Sequence, residues 1–306
     1  MRTIRVGTRG SKLALWQATF VRQELEKSNP GLRFEQVIIK TEGDIDQKSS
    51  LSKIGGQGIF TKEIEKALLN NKIDIAVHSL KDLPSKMPDM LILGAVPERG
   101  PVEDILISEE GLTLQQLPEN AKVATGSIRR KSQLLNMRPD LMISDLRGNI
   151  DTRIKKLKVQ NIDGIIMAKA AVLRLKLVDV NYASFSLAEM IPAVGQGAIG
   201  IQIRKEDMEA QEAIDTINHM ETFYAASAER ALLFALDSGC QFPVGAHAQV
   251  FNNRLNLVGF VGSEDGKTIL LETVHTDMED YENAGRSLAD KLLDKGAGTL
   301  LDTFNK

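Results

Sequence analysis

Pro97-Glu98-Arg99-Gly100-Pro101 places two prolines and a glycine in five positions, a run through which neither a helix nor a strand continues. Short apolar runs alternate with helical spacing before it, and the same alternation starts again after it. That is the signature of an α/β protein built in units. Upstream, the pattern predicts a strand at 3–7 and a helix opening near Ser11, with Leu13, Trp16, Phe20 and Leu25 at helical spacing and a stop at Pro30-Gly31. A strand at 37–40 leads into a polar, glycine-bearing stretch, 41–58, longer than most loops in compact domains. A helix at 61–70 and strands at 73–77 and 91–96 complete the unit.

Downstream, strands are expected at 104–107, 122–125, 141–144 and 164–168, with helices at 128–137 and 150–159. Pro192-Ala193-Val194-Gly195-Gln196-Gly197 breaks the pattern again before a strand at 198–203. Two crossings between α/β units predict two lobes with a cleft between them, as in bilobal binding proteins. From residue 221 the texture changes to a helix at 222–236, a loop holding Cys240, strands at 246–251, 255–261 and 268–274, and a closing helix at 281–295. The expected division is a discontinuous first lobe (1–97 with 198–216), a second lobe (103–191) and a small α+β C-terminal domain (220–306). Residues 98–102 and 192–197 act as hinges. No internal repeat or low-complexity segment is visible.

The 306 residues suffice for two or three cores, and the apolar and charged fractions, 42% and 26%, are those of an ordinary globular protein. No apolar run approaches the roughly 20 residues that span a bilayer. Met1-Arg2-Thr3-Ile4-Arg5-Val6 lacks the apolar core of a signal peptide, so a cytoplasmic protein without a membrane partner is expected. One cysteine allows no intrachain disulfide, and with His78, His219, His247 and His275 it forms no metal-ligand spacing; no metal is expected. A net charge of −3 argues against a nucleic-acid partner. The run Lys155-Lys156-x-Lys158 reads as one solvated helix face.

Four clusters could carry chemistry. In Ser238-Gly239-Cys240-Gln241-Phe242-Pro243-Val244-Gly245 the thiol sits between Gly and Pro, where it serves either as a nucleophile or as an attachment point; a buried, inert Cys is the bland alternative. In Val77-His78-Ser79-Leu80-Lys81-Asp82-Leu83-Pro84 a buried strand ends in polar residues, the place where α/β sheets bind ligands. Asp82 is there either a surface partner of Lys81 or a carboxylate kept ionised by cations. Thr125-Gly126-Ser127-Ile128-Arg129-Arg130 and Leu146-Arg147-Gly148-Asn149-Ile150-Asp151-Thr152-Arg153 are strand-turn-helix junctions. Ser127, and Asn149 or Asp151, can cap helices whose free N–H groups attract anions. Arg153, in an early turn, opposes the helix dipole unless an anion sits between them. With Thr8-Arg9-Gly10-Ser11, these turns gather arginine on a mildly acidic chain, which points to small ligands with several negative charges.

Together the motifs resemble the porphobilinogen deaminase (hydroxymethylbilane synthase) family. Added to the clusters above are Leu13-Ala14-Leu15-Trp16-Gln17, Gly55-Gly56-Gln57-Gly58-Ile59-Phe60 and Pro192-Ala193-Val194-Gly195-Gln196-Gly197-Ala198, so the likeness covers essentially the whole chain. The resemblance implies two lobes like periplasmic binding proteins plus the cysteine-bearing domain. It also implies a cytoplasmic monomer that makes a linear tetrapyrrole from porphobilinogen in haem biosynthesis. Cys240 would hold a dipyrromethane cofactor through a thioether, and Asp82 would contact pyrrole nitrogens and assist each condensation. Lys81, Ser79, Thr125, Ser127, Arg129, Arg130, Arg147 and Asn149 match the cofactor's contacts. Arg9, Ser11, Gln17, Phe60, Arg147, Arg153, Arg174 and Gln196 match those of the substrate, and 43–58 matches a mobile lid.

In the implied reaction ammonia leaves porphobilinogen, the azafulvene is attacked by the primer's terminal ring, and positive charge rests on the pyrrole nitrogens until a proton leaves. Leucine at Arg129 or Arg147 is then expected to stall elongation or primer assembly more than it lowers stability. Two features depart from the family: Glu103 stands where an arginine is usual, and Ala170-Ala171-Val172-Leu173 replaces the usual Ala-Ala-Gly-Leu before Arg174. A solute-binding protein and a transferase with a transient thiol adduct remain the alternatives, separated by whether Cys240 carries a stable adduct.

Overall fold

The computed structural model describes residues 3–41, 61–239 and 242–304; the expected lid at 43–58, Phe60 and Cys240 lie outside them. Before the first crossover run β1 (Thr3–Thr8), α1 (Lys12–Ser28), β2 (Arg33–Ile38), α2 (Lys62–Leu69), β3 (Ile75–Ser79) and β4 (Leu91–Ala95). Then follow β5 (Asp104–Ile107), β6 (Lys122–Ala124), α3 (Ile128–Met137), β7 (Met142–Ser144), α4 (Ile150–Val159), β8 (Gly164–Ala168), α5 (Lys169–Arg174) and β9 (Tyr182–Ser184). After the second crossover come β10 (Ile199–Arg204), α6 (Met208–Asp215), α7 (Met220–Ala235), β11 (Val244–Phe251), β12 (Arg254–Gly262), β13 (Ile269–Asp277), α8 (Tyr281–Asp294) and α9 (Ala297–Asp302). These elements gather into two units, residues 1–100 with 198–224 and residues 101–197 with 225–306.

The first unit is built on a five-stranded sheet of order β2-β1-β3-β10-β4, in which β10 alone runs against its neighbours. The second contains a five-stranded sheet of order β7-β6-β8-β5-β9, in which β5 alone does so. In both, the reversed strand is the first one reached after a proline-bearing crossover. The two sheets therefore share one topology, although no sequence repeat announces it. Register adds a consequence. A reversed strand begins where its antiparallel neighbour ends, so Asp104 stands opposite Ala168 and Ile199 opposite Ser79. Side chains at the start of β5 and β10 thus belong to the edge where α/β sheets place their ligands.

Helix α1 forms where Ser11 caps it and where Gln17, Ala18, Val21 and Leu25 fall on one face. That face packs with Ile4, Val6, Phe34, Ile75 and Val77 into the core of the first sheet. One expected strand is displaced: β2 spans Arg33–Ile38, not 37–40. Among the described residues it is an edge strand paired only with β1, from Thr3↔Arg33 to Thr8↔Ile38. Its solvent face therefore accepts Arg33 and Glu35 while Phe34 is buried, and the apolar run Val37-Ile38-Ile39 marks only its end. The C-terminal part of the second unit is an antiparallel meander, β11-β12-β13, with Ala246, Ala248, Leu257, Leu232 and Leu288 in its core. Among the described residues, no helix is long and apolar enough to cross a membrane.

Candidate active site

In the first unit, parallel strands β1 and β3 end side by side. After β1, the hydroxyl of Ser11 accepts from the Ala14 N–H at 3.3 Å and Thr8 Oγ1 donates to the Ala14 carbonyl at 3.1 Å, which fixes the turn that holds Arg9. Gln17, buried on the inner face of α1, donates through Nε2 to Ser79 Oγ at 2.9 Å, and Ser79 Oγ lies 3.1 Å from Gln17 Oε1. Beyond Ser79 the chain makes one 3-10 turn, Leu80–Asp82, before Leu83-Pro84, and Asp82 is exposed. Arg9, Ser11, Gln17, His78, Ser79 and Asp82 line one pocket. Five residues named from the sequence in three separate stretches therefore meet here, with Lys81 half-buried beside Asp82. A buried polar chain adjoins the pocket: Gln202 Nε2 donates to Glu65 Oε1 at 3.0 Å, and Gln202 Oε1 faces His78 Nε2 at 3.2 Å.

In the second unit, the turns after β6 and β7 touch. A β-carbon on Gly126 would stand 2.7 Å from the Leu146 carbonyl oxygen, and only glycine allows that approach. Thr125 Oγ1 accepts from the Ser127 N–H at 3.2 Å, and Ser127 caps α3. Asn149 is the cap of α4, accepting from the Thr152 N–H at 2.9 Å, which settles the choice between Asn149 and Asp151. Arg147 pairs with Asp145 at 2.6 Å. Arg153 Nε donates to the Gly148 carbonyl at 2.8 Å, so its charge folds back over the turn. Arg174 donates to the Gly197 carbonyl at 2.7 Å, and burial pushes its pKa down to about 10.

Arg129 and Arg130 do not stand open to solvent, being only 3% and 6% exposed. Both pair with the fully buried Asp104, each at 2.7 Å. Burial alone would raise the Asp104 pKa, but the charges of Arg129 and Arg130 outweigh it and hold this carboxyl well below the usual carboxylate range. Gln196 Nε2 joins the cluster, donating to Asp104 Oδ1 at 2.9 Å and to the Val102 carbonyl at 2.7 Å. Glu103, just before this cluster, faces Lys169 at 3.3 Å.

The family model described as "Porphobilinogen deaminase, dipyromethane cofactor binding domain" matches residues 4–212, and the one described as "Porphobilinogen deaminase, C-terminal domain" matches residues 223–294. The chain belongs to the porphobilinogen deaminase family. It is 47% identical to the porphobilinogen deaminase of Chlorobium chlorochromatii over 98% of this chain and 97% of that one. Against the porphobilinogen deaminase of Geobacter sulfurreducens the identity is 45%, over 97% and 93%. Among solved structures it is similar to the periplasmic aliphatic sulphonate binding protein SsuA from Escherichia coli, at 16% identity and a TM-score of 0.43, over 78% of this chain and 71% of that one.

The described residues that flank position 240 are closely packed. Ser238, Gly239 and residues 242–247, on either side of the thiol position, are buried. Glu229 of α7 is fully buried, and its two oxygens accept from the Gly195 N–H at 2.7 Å and the Ala248 N–H at 2.8 Å. One carboxylate thus ties the second crossover to the edge of β11. Neither Glu229 nor Asp104 belongs to the four clusters that the sequence singles out. The signal for Asp104 was present, since an acid heading the wholly buried strand Asp104-Ile105-Leu106-Ile107 needs a cationic partner.

Proposed function

We propose that this chain condenses four porphobilinogen molecules head to tail, with loss of ammonia, into hydroxymethylbilane, on a dipyrromethane primer joined to Cys240 through a thioether. When bound, the primer supplies the free α-carbon from which the chain grows. The donors of the second unit fit a group bearing several carboxylates. Ser127 and Asn149 mark two helix N-termini where unpaired N–H groups favour anions, and Arg147 and Arg153 flank the second of them. Arg129 and Arg130 bring two positive charges to the single negative charge of Asp104. Thr125 orients the backbone of this turn through the Ser127 N–H.

In the first unit, Arg9 and Ser11 would hold the acetate and propionate of the incoming pyrrole, with Gln17 and Ser79 bracing one another behind them. The carboxylate of Asp82, exposed on this pocket, would stabilise positive charge on the pyrrole nitrogens and accept the α-proton. Gln196 orients the arginine cluster, and Arg174 is steered by the Gly197 carbonyl. The same reading makes the protein a cytoplasmic monomer of three domains with the boundaries given above.

The observation that carries the reading is the convergence of Arg9, Ser11, Gln17, Ser79 and Asp82 on one pocket. Intact-protein mass spectrometry tests it. The purified chain should carry a mass excess of two pyrrole units that Cys240→Ser lacks, and added porphobilinogen should be turned into linear tetrapyrrole. A bare polypeptide mass before and after porphobilinogen would favour the solute-binding alternative.

A further inference from the structure

We infer that Asp104 is a positioning residue for this reaction: its carboxylate sets where the guanidinium groups of Arg129 and Arg130 stand, and hence the net positive charge that they present to the carboxylates of the pyrrole chain. The inference rests on the functional reading above and assigns a role to a residue outside every motif that supports that reading. Consecutive residues on a helix point about 100° apart, so Arg129 and Arg130 have no reason of their own to converge. Asp104 makes them do so. Its Oδ2 accepts from Arg129 Nη2 at 2.7 Å, while its Oδ1 accepts from Arg130 Nη2 at 2.7 Å and Arg130 Nε at 3.0 Å. Gln196 Nε2 reaches the same Oδ1 at 2.9 Å.

The outer edges of both guanidiniums are fixed as well, Arg129 Nη1 on the Ile191 carbonyl at 2.6 Å and Arg130 Nη1 on the Ile166 carbonyl at 3.1 Å. A counter-ion that only balanced charge would need none of this geometry. The reversed direction of β5 makes it available, because the strand's first residue starts level with the last residue of β8. Two guanidiniums and one carboxylate leave the trio with one net positive charge. Cations fixed in place before an anionic ligand arrives lose little freedom on binding it.

The test compares wild type, Asp104→Asn, Asp104→Glu and Leu106→Ala, each assayed well below its unfolding midpoint. Glutamate keeps the charge and moves it by one methylene. Leu106, in the apolar core of the same strand, lowers stability without altering an ion pair. Primer loading and bound intermediates are read by intact mass after stepwise addition of porphobilinogen, and turnover is read from tetrapyrrole formed. Both Asp104 variants should lose on the order of 100-fold in turnover and should load poorly or accumulate at one intermediate. Leu106→Ala should keep the wild-type mass distribution despite its lower midpoint. Wild-type turnover by Asp104→Glu would overturn the inference, as would a mass distribution for Asp104→Asn that Leu106→Ala reproduces. Should Asp104→Asn not fold, the glutamate variant decides alone. A wild type that neither loads nor converts porphobilinogen would instead overturn the functional reading, and this inference with it.

Discussion

Gly245 lies against Arg129 so closely that a β-carbon on the glycine would stand 3.0 Å from the arginine Cδ and 2.7 Å from the Pro192 carbonyl oxygen. The neighbouring N–H of Ala246 donates to that same carbonyl at 3.1 Å, so the approach is backbone to backbone. The glycine five positions after Cys240 is therefore a packing requirement between β11 and residues 191–192. Gly245→Ala should destabilise the fold by about 1–3 kcal/mol, the usual cost of overpacking a tight contact. Urea unfolding would show a lower midpoint at unchanged slope, whereas an unchanged midpoint would mean that the two backbones separate freely.

The Glu229 carboxylate serves two N–H donors, one on each oxygen. Glutamine offers only one carbonyl oxygen, so either the Gly195 or the Ala248 N–H would face an NH2 group. Glu229→Gln should cost about 1–3 kcal/mol through that unsatisfied buried donor, seen as a drop in the urea midpoint. A variant as stable as wild type would show that charge and acceptor number at this position are dispensable.

Much of this architecture was readable in the sequence because the signals were local. Ser127 and Asn149 each precede an apolar-periodic run, and helices Ile128–Met137 and Ile150–Val159 begin where those caps place them. The buried strands Asp104–Ile107 and Gly164–Ala168 are short apolar runs and keep their expected bounds. Short elements escaped: β9, α5 and α9 are too brief to show a period. Asp104 escaped for a different reason. It meets Arg129 across 25 residues and Gln196 across 92, a proximity created by strand order that no window of sequence contains.

The same pairing gives acid stability a definite shape. The folded-state pKa of Asp104 lies below its ordinary value of 3.8, so its contribution to stability is whole above about pH 5. It is lost as pH falls through that region towards the folded value. The urea midpoint of wild type should therefore exceed that of Asp104→Asn by a constant margin from neutral pH down to about pH 5, and the margin should narrow as the solution is acidified further. A gap that stayed level to the lowest pH reached would mean that the carboxyl is not ionised against the arginines.

Asp82 is exposed at the end of a single helical turn, so its removal should leave the fold intact. Asp82→Asn keeps the shape and removes the charge that would face the pyrrole nitrogens. Turnover of the primer-loaded variant should fall by about 100-fold or more, the range for loss of a positioned acid–base group, with an unfolding midpoint within error of wild type. Near-normal turnover would show that the charge of Asp82 has no part in the reaction.

Arg129 and Arg147 are alike in the sequence, each beside a glycine-bearing turn at a strand's end, and leucine at either was expected to stall elongation more than it lowers stability. Their surroundings divide them. Arg147 is about one-third exposed and its partner Asp145 more than half, a surface pair worth at most about 1 kcal/mol. Arg129 is buried against a buried Asp104, and breaking such a pair typically costs about 3–5 kcal/mol. Arg147→Leu should therefore unfold close to wild type yet accumulate unfinished chains by intact mass. Arg129→Leu should lose several degrees of thermal midpoint as well as primer loading. Equal stability losses in the two variants would mean that Asp104 is adequately neutralised by Arg130 alone. Normal product from Arg147→Leu would remove that arginine from the carboxylate-binding set.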